Sequence, residues 1–336
     1  MRASMRRAAA TILGSLSLAL SLPTAAVGQT PPAPTPAPAP APAPAPGAMS
    51  IKLERVSRVG HDDVVLRGDR VRVRGTVTPY VAGQTVVVRL YRGRSKLAAK
   101  AVAIQPVPGT PNGGFVASLQ PGKGRLTVRA SHRATTAQAT MVARARRLLV
   151  VTPYATAGAR GPIVRLLQSR LASLRYAVSR SGTFDASTAR AVVAYRKVSG
   201  MSRVAVASRS VVRGLLARRG SFEARHPQHG KHVEVDLSRQ VMALLRGGRV
   251  YRIYGVSSGK ASTPTVLGRF RVYSKTIGTN ALGMVHSSYF IGGYAIHGYI
   301  SVPTFPASHG CVRVPIPNAL SIYRWLRPGD RVDVYP

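Results

Sequence analysis

The segment AIHGYISVPTFPASHGCVRV, Ala295 to Val314, holds the chain's one cysteine, Cys311, with His309 two residues before it and His297 fourteen before it. A thiol at its ordinary pKa is only a few per cent thiolate at neutral pH. A neighbouring imidazole can take its proton and leave a thiolate and imidazolium pair. In an extended segment His309 and Cys311 share a face, but a base with a usable approach more often comes from another strand. His297 closes the strand-like run Tyr294, Ala295, Ile296 and is followed by Gly298, so it fits that role. Gly310 lets the backbone turn tightly beside the thiol. The amides of Gly310 and Cys311 are then candidates to face a developing oxyanion, a contribution of about 3 kcal/mol. From the residues alone a buried structural cysteine stays open as the other reading.

Working outward, the period of the sequence divides the chain. From His232 the apolar positions alternate (Val233, Val235, Leu237; Val241, Ala243, Leu245; Val250, Ile253, Val256), with Gly247 and Gly248 as a hairpin turn, which predicts a mostly β domain over 231–336. Residues 155–219 change period: Val164, Leu167, Leu171 and Leu174 fall at helical spacing, and Thr188, Ala191, Val192 and Tyr195 form a second such face behind a candidate N-cap, Asp185. Residues 51–150 return to period two in short runs between Gly and Pro turns, the pattern of an antiparallel sandwich-like spacer. His61 and His132 in that stretch read as isolated surface residues. His226, His229 and His232 do not fit a helical metal site, because Pro227 and Gly230 interrupt them.

The amino terminus carries Arg2, Arg6 and Arg7, an apolar run from Ala8 to Leu22 and small residues to Gly28. This has the three regions of a signal peptide, residues 1–28, and an uncleaved anchor is the alternative. Residues 29–50 form a Pro/Ala-rich linker. Its almost strictly alternating part, Pro31 to Ala48, reaches roughly 55 Å if it adopts polyproline II. Export places the protein in the cell wall or periplasmic space, outside the cytoplasmic membrane.

Composition narrows the chemistry. With 49 Lys+Arg against 10 Asp+Glu the formal charge is +39, which points to polyanionic surroundings. The basic residues are spread along the chain, and together with the export signal this argues against nucleic acid. Ten carboxylates, two of them adjacent at Asp62 and Asp63 in an apparent turn, leave little for a two-carboxylate glycosidase. One cysteine permits no internal disulfide, and a disulfide-linked partner is not expected.

Two resemblances sharpen this reading. The stretch Val164 to Met201, with Leu166, Leu167, Gln168, Leu171, Leu174, Tyr176, Gly182, Phe184 and Asp185, resembles the three-helix peptidoglycan-binding domain of cell-wall enzymes, departing from it at Arg175 (usually Gly) and Lys197 (usually Gln). His297-Gly298 followed by Ser308-His309-Gly310-Cys311-Val312-Arg313 resembles the signature of the YkuD-type L,D-transpeptidases. The opening Glu234 to Gln240 and the Thr263-Pro264-Thr265 turn before Gly268 and Phe270 agree with it.

The implied fold is multidomain and mainly β: an N-terminal antiparallel β-sandwich-like domain, a small three-helix domain and a C-terminal β-rich catalytic domain. The resemblance implies that Cys311 is the nucleophile and His297 its base, held through the Gly298 carbonyl. Ser308, His309, Gly310 and Arg313 shape the acyl pocket, and Met284, His286, Tyr289 and Tyr299 are candidate cleft contacts. It implies a cysteine acyl-enzyme on peptidoglycan stem peptides: D-Ala leaves a donor tetrapeptide, and an acceptor stem completes a 3-3 cross-link. Hydrolysis of the same acyl-enzyme, an L,D-carboxypeptidase, is the same-class alternative, and a non-catalytic wall-anchored peptidoglycan-binding protein is the different-class one. Anionic wall polymers are further candidate partners. The thiol supplies the chemistry, so neither a cofactor nor a metal is called for.

Overall fold

The structure is a computed structural model, and it describes residues 42–336. The leader at 1–28 and most of the linker at 29–50 lie outside the described residues. The last residues read as linker belong to the folded chain: Ala45 bridges Gln138, and strand β1 (Ala48–Glu54) has begun. Among the described residues no helix is long and apolar enough to cross a membrane.

Residues 48–151 build two sheets around one core. One sheet is ordered β1, β4 (Val71–Thr78), β8 (Gly113–Leu119), β7 (Gln105–Pro106). The other is ordered β2 (Ser57–Val59), β3 (Asp62–Leu66), β11 (Arg146–Val151), β9 (Gly124–His132), β5 (Thr85–Arg92), β6 (Ser95–Ala103), with β10 (Met141–Val142) on β9. The expected alternation holds in β4, β5, β8 and β9, whose inward residues Val71, Val73, Val86, Val88, Leu90, Phe115, Leu126 and Val128 pack together. Gly75 is needed within β4, because a Cβ there would lie 2.0 Å from the Phe115 ring. Asp62 and Asp63 are not in a turn: they open β3 and pair with Arg125, Arg58 and Arg146. His132 is not a surface residue either; it is buried, with Nδ1 2.8 Å from the Thr85 carbonyl.

The pair β3 and β11 is parallel and apolar on both faces. Val65, Leu148 and Val150 enter the sandwich core, whereas Val64, Leu66, Leu149 and Val151 pack on Leu166 and Val212 of the helices that follow. A strand covered on both sides reads as a continuous apolar run, as Leu148 to Val151 does.

Helices α1 (Pro162–Ser173), α2 (Ala186–Val198) and α3 (Arg209–Leu216) form the three-helix module. Asp185 caps α2, its carboxylate accepting from the Thr188 amide at 2.8 Å. The module's core is not closed on itself. Leu167, Leu171, Val192, Tyr195 and Leu215 share one cluster with Val241, Ala243, Leu245 and Ile253 of the following sheet.

That sheet is ordered β14 (Arg249–Gly255), β13 (Val241–Arg246), β12 (His232–Asp236), β20 (Arg331–Tyr335), β15 (Gly268–Arg271). Gly247 and Gly248, both at positive φ, make the predicted turn between β13 and β14. The opposite face, Val233, Val235, Met242 and Leu244, packs on a second sheet, β16 (Ser274–Thr279), β17 (Val285–Ile291), β18 (Tyr294–Tyr299), β19 (Val312–Pro315), and on α4 (Ile316–Trp325). Lys275 terminates α4 by donating to the Tyr323 and Leu326 carbonyls, where the helix dipole favours a cation.

The three histidines before β12 are tied up in packing. His226 stacks on His229 with centroids 4.8 Å apart, His229 Nδ1 lies 2.7 Å from Asp333, and His232 Nε2 lies 3.2 Å from Glu234. Burial alone would raise the pKa of Glu234, but hydrogen bonds from His232, the Arg225 and His226 amides and the Tyr335 hydroxyl bring it down to about 2.

Two sets of hydrogen bonds fasten the helical module to this sheet. The segment after α1 extends β14: the Ile253 amide donates to the Arg175 carbonyl at 2.9 Å, and the Ala177 amide donates to the Ile253 carbonyl at 3.0 Å. Lys197, 5% exposed, donates through Nζ to the carbonyls of Gln240 and Val256 at 3.0 and 2.9 Å. Arg175 and Lys197 are the two positions at which the sequence departs from the peptidoglycan-binding pattern it resembles. Arg175 adopts φ 72°, the left-handed conformation a glycine takes without strain.

Two predictions follow from these contacts. Arg175→Gly relieves left-handed strain and raises stability by about 0.5–1 kcal/mol, read as a higher Tm; an unchanged or lower Tm contradicts the strain argument. Desolvation lowers the Lys197 pKa from 10.5 to about 7. Between those pH values the unfolded chain binds the proton that the folded one has lost, so this residue makes stability rise with pH across the window. The Tm of the wild type is therefore expected to gain on that of Lys197→Met between pH 7 and 10. Parallel pH profiles would exclude a neutral buried amine.

Candidate active site

The parallel pairing of β18 with β19 brings the two candidate residues together. Ile296 pairs with Val312, His297 with Arg313 and Gly298 with Val314, so Cys311 enters β19 beside the strand that carries His297. His297 is 2% exposed, and its Nδ1 donates to the Gly298 carbonyl at 2.9 Å. A carbonyl only accepts, so the proton sits on Nδ1, and Nε2 of the neutral ring keeps its lone pair. Gly298 is required by packing: a Cβ there would lie 2.7 Å from Ala319 Cβ on α4 and 3.2 Å from Val285 Cβ on β17. The absence of that side chain lets α4 close against the strand and hold the imidazole's acceptor carbonyl in place.

The loop ahead of the thiol is fixed from several directions. Ser308 is buried; its hydroxyl donates to the Cys311 carbonyl at 2.6 Å and accepts from the Gly310 amide at 3.1 Å. The Gly310 amide is thereby engaged within the loop, which removes it from the oxyanion donors suggested by the sequence. Gly310 takes φ 116° against the face of Tyr294, whose ring a Cβ would approach to 2.4 Å. Thr265 donates to the Gly310 carbonyl at 2.8 Å and Thr263 to the Ser308 carbonyl at 3.1 Å. Ser257 exchanges backbone bonds with Arg313 at 2.9 and 3.1 Å, and the Ser308 amide donates to the Ser258 carbonyl at 2.9 Å. Gln240 holds Ser258 in turn, accepting from its amide at 2.8 Å and donating to its hydroxyl at 2.6 Å. His309 points outward and is exposed, so of the two histidines His297 occupies the position of a base.

Burial favours the neutral form of both reacting groups. It lowers the His297 pKa below its ordinary 6.5, opposed by the Gly298 bond and assisted by the Arg313 charge. It raises the Cys311 pKa above its ordinary 9.0, opposed by the Ala295 amide and by Arg313. Both directions favour thiol and imidazole over the thiolate and imidazolium pair that residue types alone suggest. The thiol's own hydrogen bond runs to the Gly293 carbonyl at 3.8 Å. Arg313 lies over the Tyr299 ring at 4.1 Å, and Tyr299 meets His297 edge-on with centroids 5.7 Å apart. These two side chains therefore flank the imidazole.

The other predicted contacts fall into two groups. Tyr289 is half-buried on β17, pairs in register with Ala295 and tilts against Tyr273, which leaves it beside the strand entering the site. Met284 is buried at the end of the β16–β17 turn, where Asn280 accepts from its amide, so it packs the turn and presents no free surface. His286, at φ 52°, accepts from the Gly278 amide and tilts against Tyr323. Thr265, Ser257, Ser258 and Gln240 were not read from the sequence as site residues. Gln240 and Thr265 stood in quoted motifs, but their bonds cross tens of residues and leave no local spacing to detect. Arg203 was also missed; it reaches from the helical module to the Thr304 carbonyl at 2.7 Å and the Ser238 carbonyl at 2.9 Å.

Residues 230–334 match the YkuD family, described as the L,D-transpeptidase catalytic domain. Among solved structures the chain is similar to the L,D-transpeptidase of Xylanimonas cellulosilytica, at 34% identity over 55% of this chain and 98% of that one, with a TM-score of 0.50. It is also similar to an L,D-transpeptidase from Stackebrandtia nassauensis, at 23% identity over 54% and 95% of the two chains, with a TM-score of 0.35. A third, from Mycobacterium smegmatis, covers 86% of this chain and 99% of its own at 13% identity, with a TM-score of 0.28. No curated protein matches the chain. The paired strands that set His297 beside Cys311 lie within the matched segment, and with the extent of its likeness to the Xylanimonas enzyme the chain belongs to the L,D-transpeptidase family.

Proposed function

We propose that the protein is an exported cell-wall acyltransferase that forms 3-3 cross-links in peptidoglycan through a thioester on Cys311. The observation that carries this reading is the tautomer of His297: with Nδ1 bonded to the Gly298 carbonyl, Nε2 is free to accept a proton. In the first step Cys311 Sγ attacks the carbonyl carbon of the third stem residue while His297 Nε2 takes the thiol proton. The tetrahedral oxyanion collapses, the amide bond to D-Ala breaks, and the imidazolium returns the proton to the departing amine. In the second step the side-chain amine of an acceptor stem attacks the thioester, giving up a proton through His297, and the thiol is restored. Water in place of that amine yields a tripeptide, the carboxypeptidase outcome. The helical module, by its resemblance, would hold the enzyme on the wall, and the basic surface would concentrate it near anionic wall polymers.

A neutral thiol and a neutral imidazole suit this chemistry when the proton moves as the carbon–sulfur bond forms. The direction of the two shifts sets the expected pH profile. The acid limb of kcat/KM lies below pH 6.5, because a lowered His297 pKa keeps the imidazole unprotonated further into acid. Alkylation of Cys311 by iodoacetamide keeps accelerating beyond pH 9, because the thiol pKa is raised above 9.0. An acid limb above 6.5, or alkylation already at its plateau at pH 7, would establish the ion pair in place of the neutral one.

The activity itself is tested by a mass-spectrometric time course with purified disaccharide-tetrapeptide, following free D-Ala, the Cys311 adduct and dimeric muropeptides. Dimers that disappear in Cys311→Ala establish transpeptidation. Tripeptide without dimers establishes hydrolysis, and folded protein with neither D-Ala nor adduct supports the non-catalytic wall-binding reading. His297→Gln is expected to lower acylation about 10²–10⁴-fold, the usual contribution of a positioned base.

A further inference from the structure

A wide cavity lies away from Cys311. It has a volume of about 870 Å³ and opens between the end of α2, α3, the 219–223 segment and the turn at Arg239. Four of its lining residues are arginines, Arg209, Arg213, Arg219 and Arg239, against one carboxylate, Glu223. Arg209 and Arg213 share the single carboxylate of Asp69, and Arg239 is paired with Asp236 at 3.2 Å. Arg219 forms no salt bridge among the described residues. Positive charge in the wall of the cavity therefore exceeds what the protein neutralises.

A second observation comes from its floor. Ser199 lines the cavity, and its hydroxyl is closed to solvent against Tyr195. Two glycines make room for Tyr195 in that floor. A Cβ at Gly214 would lie 2.2 Å from the Tyr195 hydroxyl, and one at Gly220 would lie 2.4 Å from the Tyr195 ring and 2.8 Å from Ser199 Oγ. The Tyr176 hydroxyl donates to the Gly220 carbonyl at 2.6 Å and fixes that wall. The cavity is thus a shaped recess with guanidinium forks at its rim and a floor packed around Tyr195.

We infer that this recess binds an oxyanion of the wall, a carboxylate or a phosphodiester, between the helical module and the catalytic domain. Guanidinium groups bind both by paired charge-assisted hydrogen bonds. Because Arg239 belongs to the catalytic domain, an occupant spans both modules and holds the wall chain beside the domain that acts on it. The site supplies what the wall-binding part of the proposed function lacks, a place for the ligand, and it rests on that reading for the choice of polymer.

The test is retention of the full-length protein on purified sacculi, with and without acid removal of phosphate-containing polymers, at several salt concentrations. Arg219→Ala/Arg239→Ala is expected to weaken retention about tenfold. The conservative Arg219→Lys/Arg239→Lys, which keeps the charge but loses the fork, is expected to restore it only in part. Exposed arginines outside the recess, Arg94→Ala/Arg144→Ala, should leave retention within about twofold. Retention that survives stripping identifies the carboxylate, and retention lost on stripping identifies the phosphodiester; either supports the site. Equal retention by wild type and both Arg219/Arg239 variants, or an equal loss in Arg94→Ala/Arg144→Ala, overturns it in favour of diffuse charge. D-Ala release from soluble tetrapeptide, measured on the same samples, reads the catalytic proposal separately. Failure of that reaction with binding intact rejects only the catalytic proposal, and the converse result rejects only the recess.

Discussion

The active site depends on a parallel ladder only four residue pairs long, Ile296 to Tyr299 against Val312 to Pro315. Parallel strands need a connection that leaves the sheet and returns, and here residues 300–311 make that crossing without a helix. The crossing ends in the loop that carries Cys311, so the same register that pairs the strands sets Cys311 beside His297. Gly298 makes the register compatible with α4, since any side chain there would strike Ala319. One residue thus meets a packing demand through its missing Cβ and a chemical demand through its carbonyl.

The loop is rigid because its polar groups are bonded inward. Ser308, Thr263 and Thr265 direct hydroxyls at its carbonyls, and Gln240 fixes the segment on which it leans. Lys197 and Arg203 extend this support into the helical module, the first through the carbonyls of Gln240 and Val256 and the second through those of Ser238 and Thr304. The three-helix module is therefore part of the frame around the nucleophile. Its core residues Val192 and Tyr195 are continuous with Ala243 and Ile253, and a sheet apolar on both faces explains why.

Where function rests on neighbours in sequence, the sequence was readable. The spacing of Ser308 to Cys311, the strand entering at Tyr294 and the helical period of Val164, Leu167 and Leu171 all appear in the structure where the pattern put them. The cap at Asp185 appears too, because capping joins residues three apart. The reading failed where the partner is remote. Nothing around Asp62 or His132 reports that Arg125 or the Thr85 carbonyl lies against it, and nothing around Lys197 reports two carbonyls on another module. Val241, Ala243 and Leu245 announced one buried face of β13, but the burial of Met242 and Leu244 on the other follows only once two sheets and a helix layer are stacked. Protonation depends on the remote surroundings too: residue types suggest an ion pair, whereas burial, a property of the whole fold, favours the neutral one.

The carboxylates show how charge is distributed in so basic a chain. There are ten, Glu54, Asp62, Asp63, Asp69, Asp185, Glu223, Glu234, Asp236, Asp330 and Asp333. Glu54, Asp62, Asp63 and Asp69 hold arginines of the sandwich and its junction with α3, and Asp185 caps α2. Glu234, Asp236, Asp330 and Asp333 brace the sheet of β12 and β20. Only Glu223 is outside such pairs, and it lines the arginine-rich recess. Nine of the ten thus serve architecture, and none of the ten appears among the hydrogen-bond partners of Cys311 or His297. Without a carboxylate to orient it, His297 relies on a backbone carbonyl, a neutral acceptor that fixes the tautomer without stabilising the imidazolium as an aspartate would. That choice of partner, together with burial, favours the uncharged pair, and in the proposed acylation it would place the cost of charge separation in the transition state.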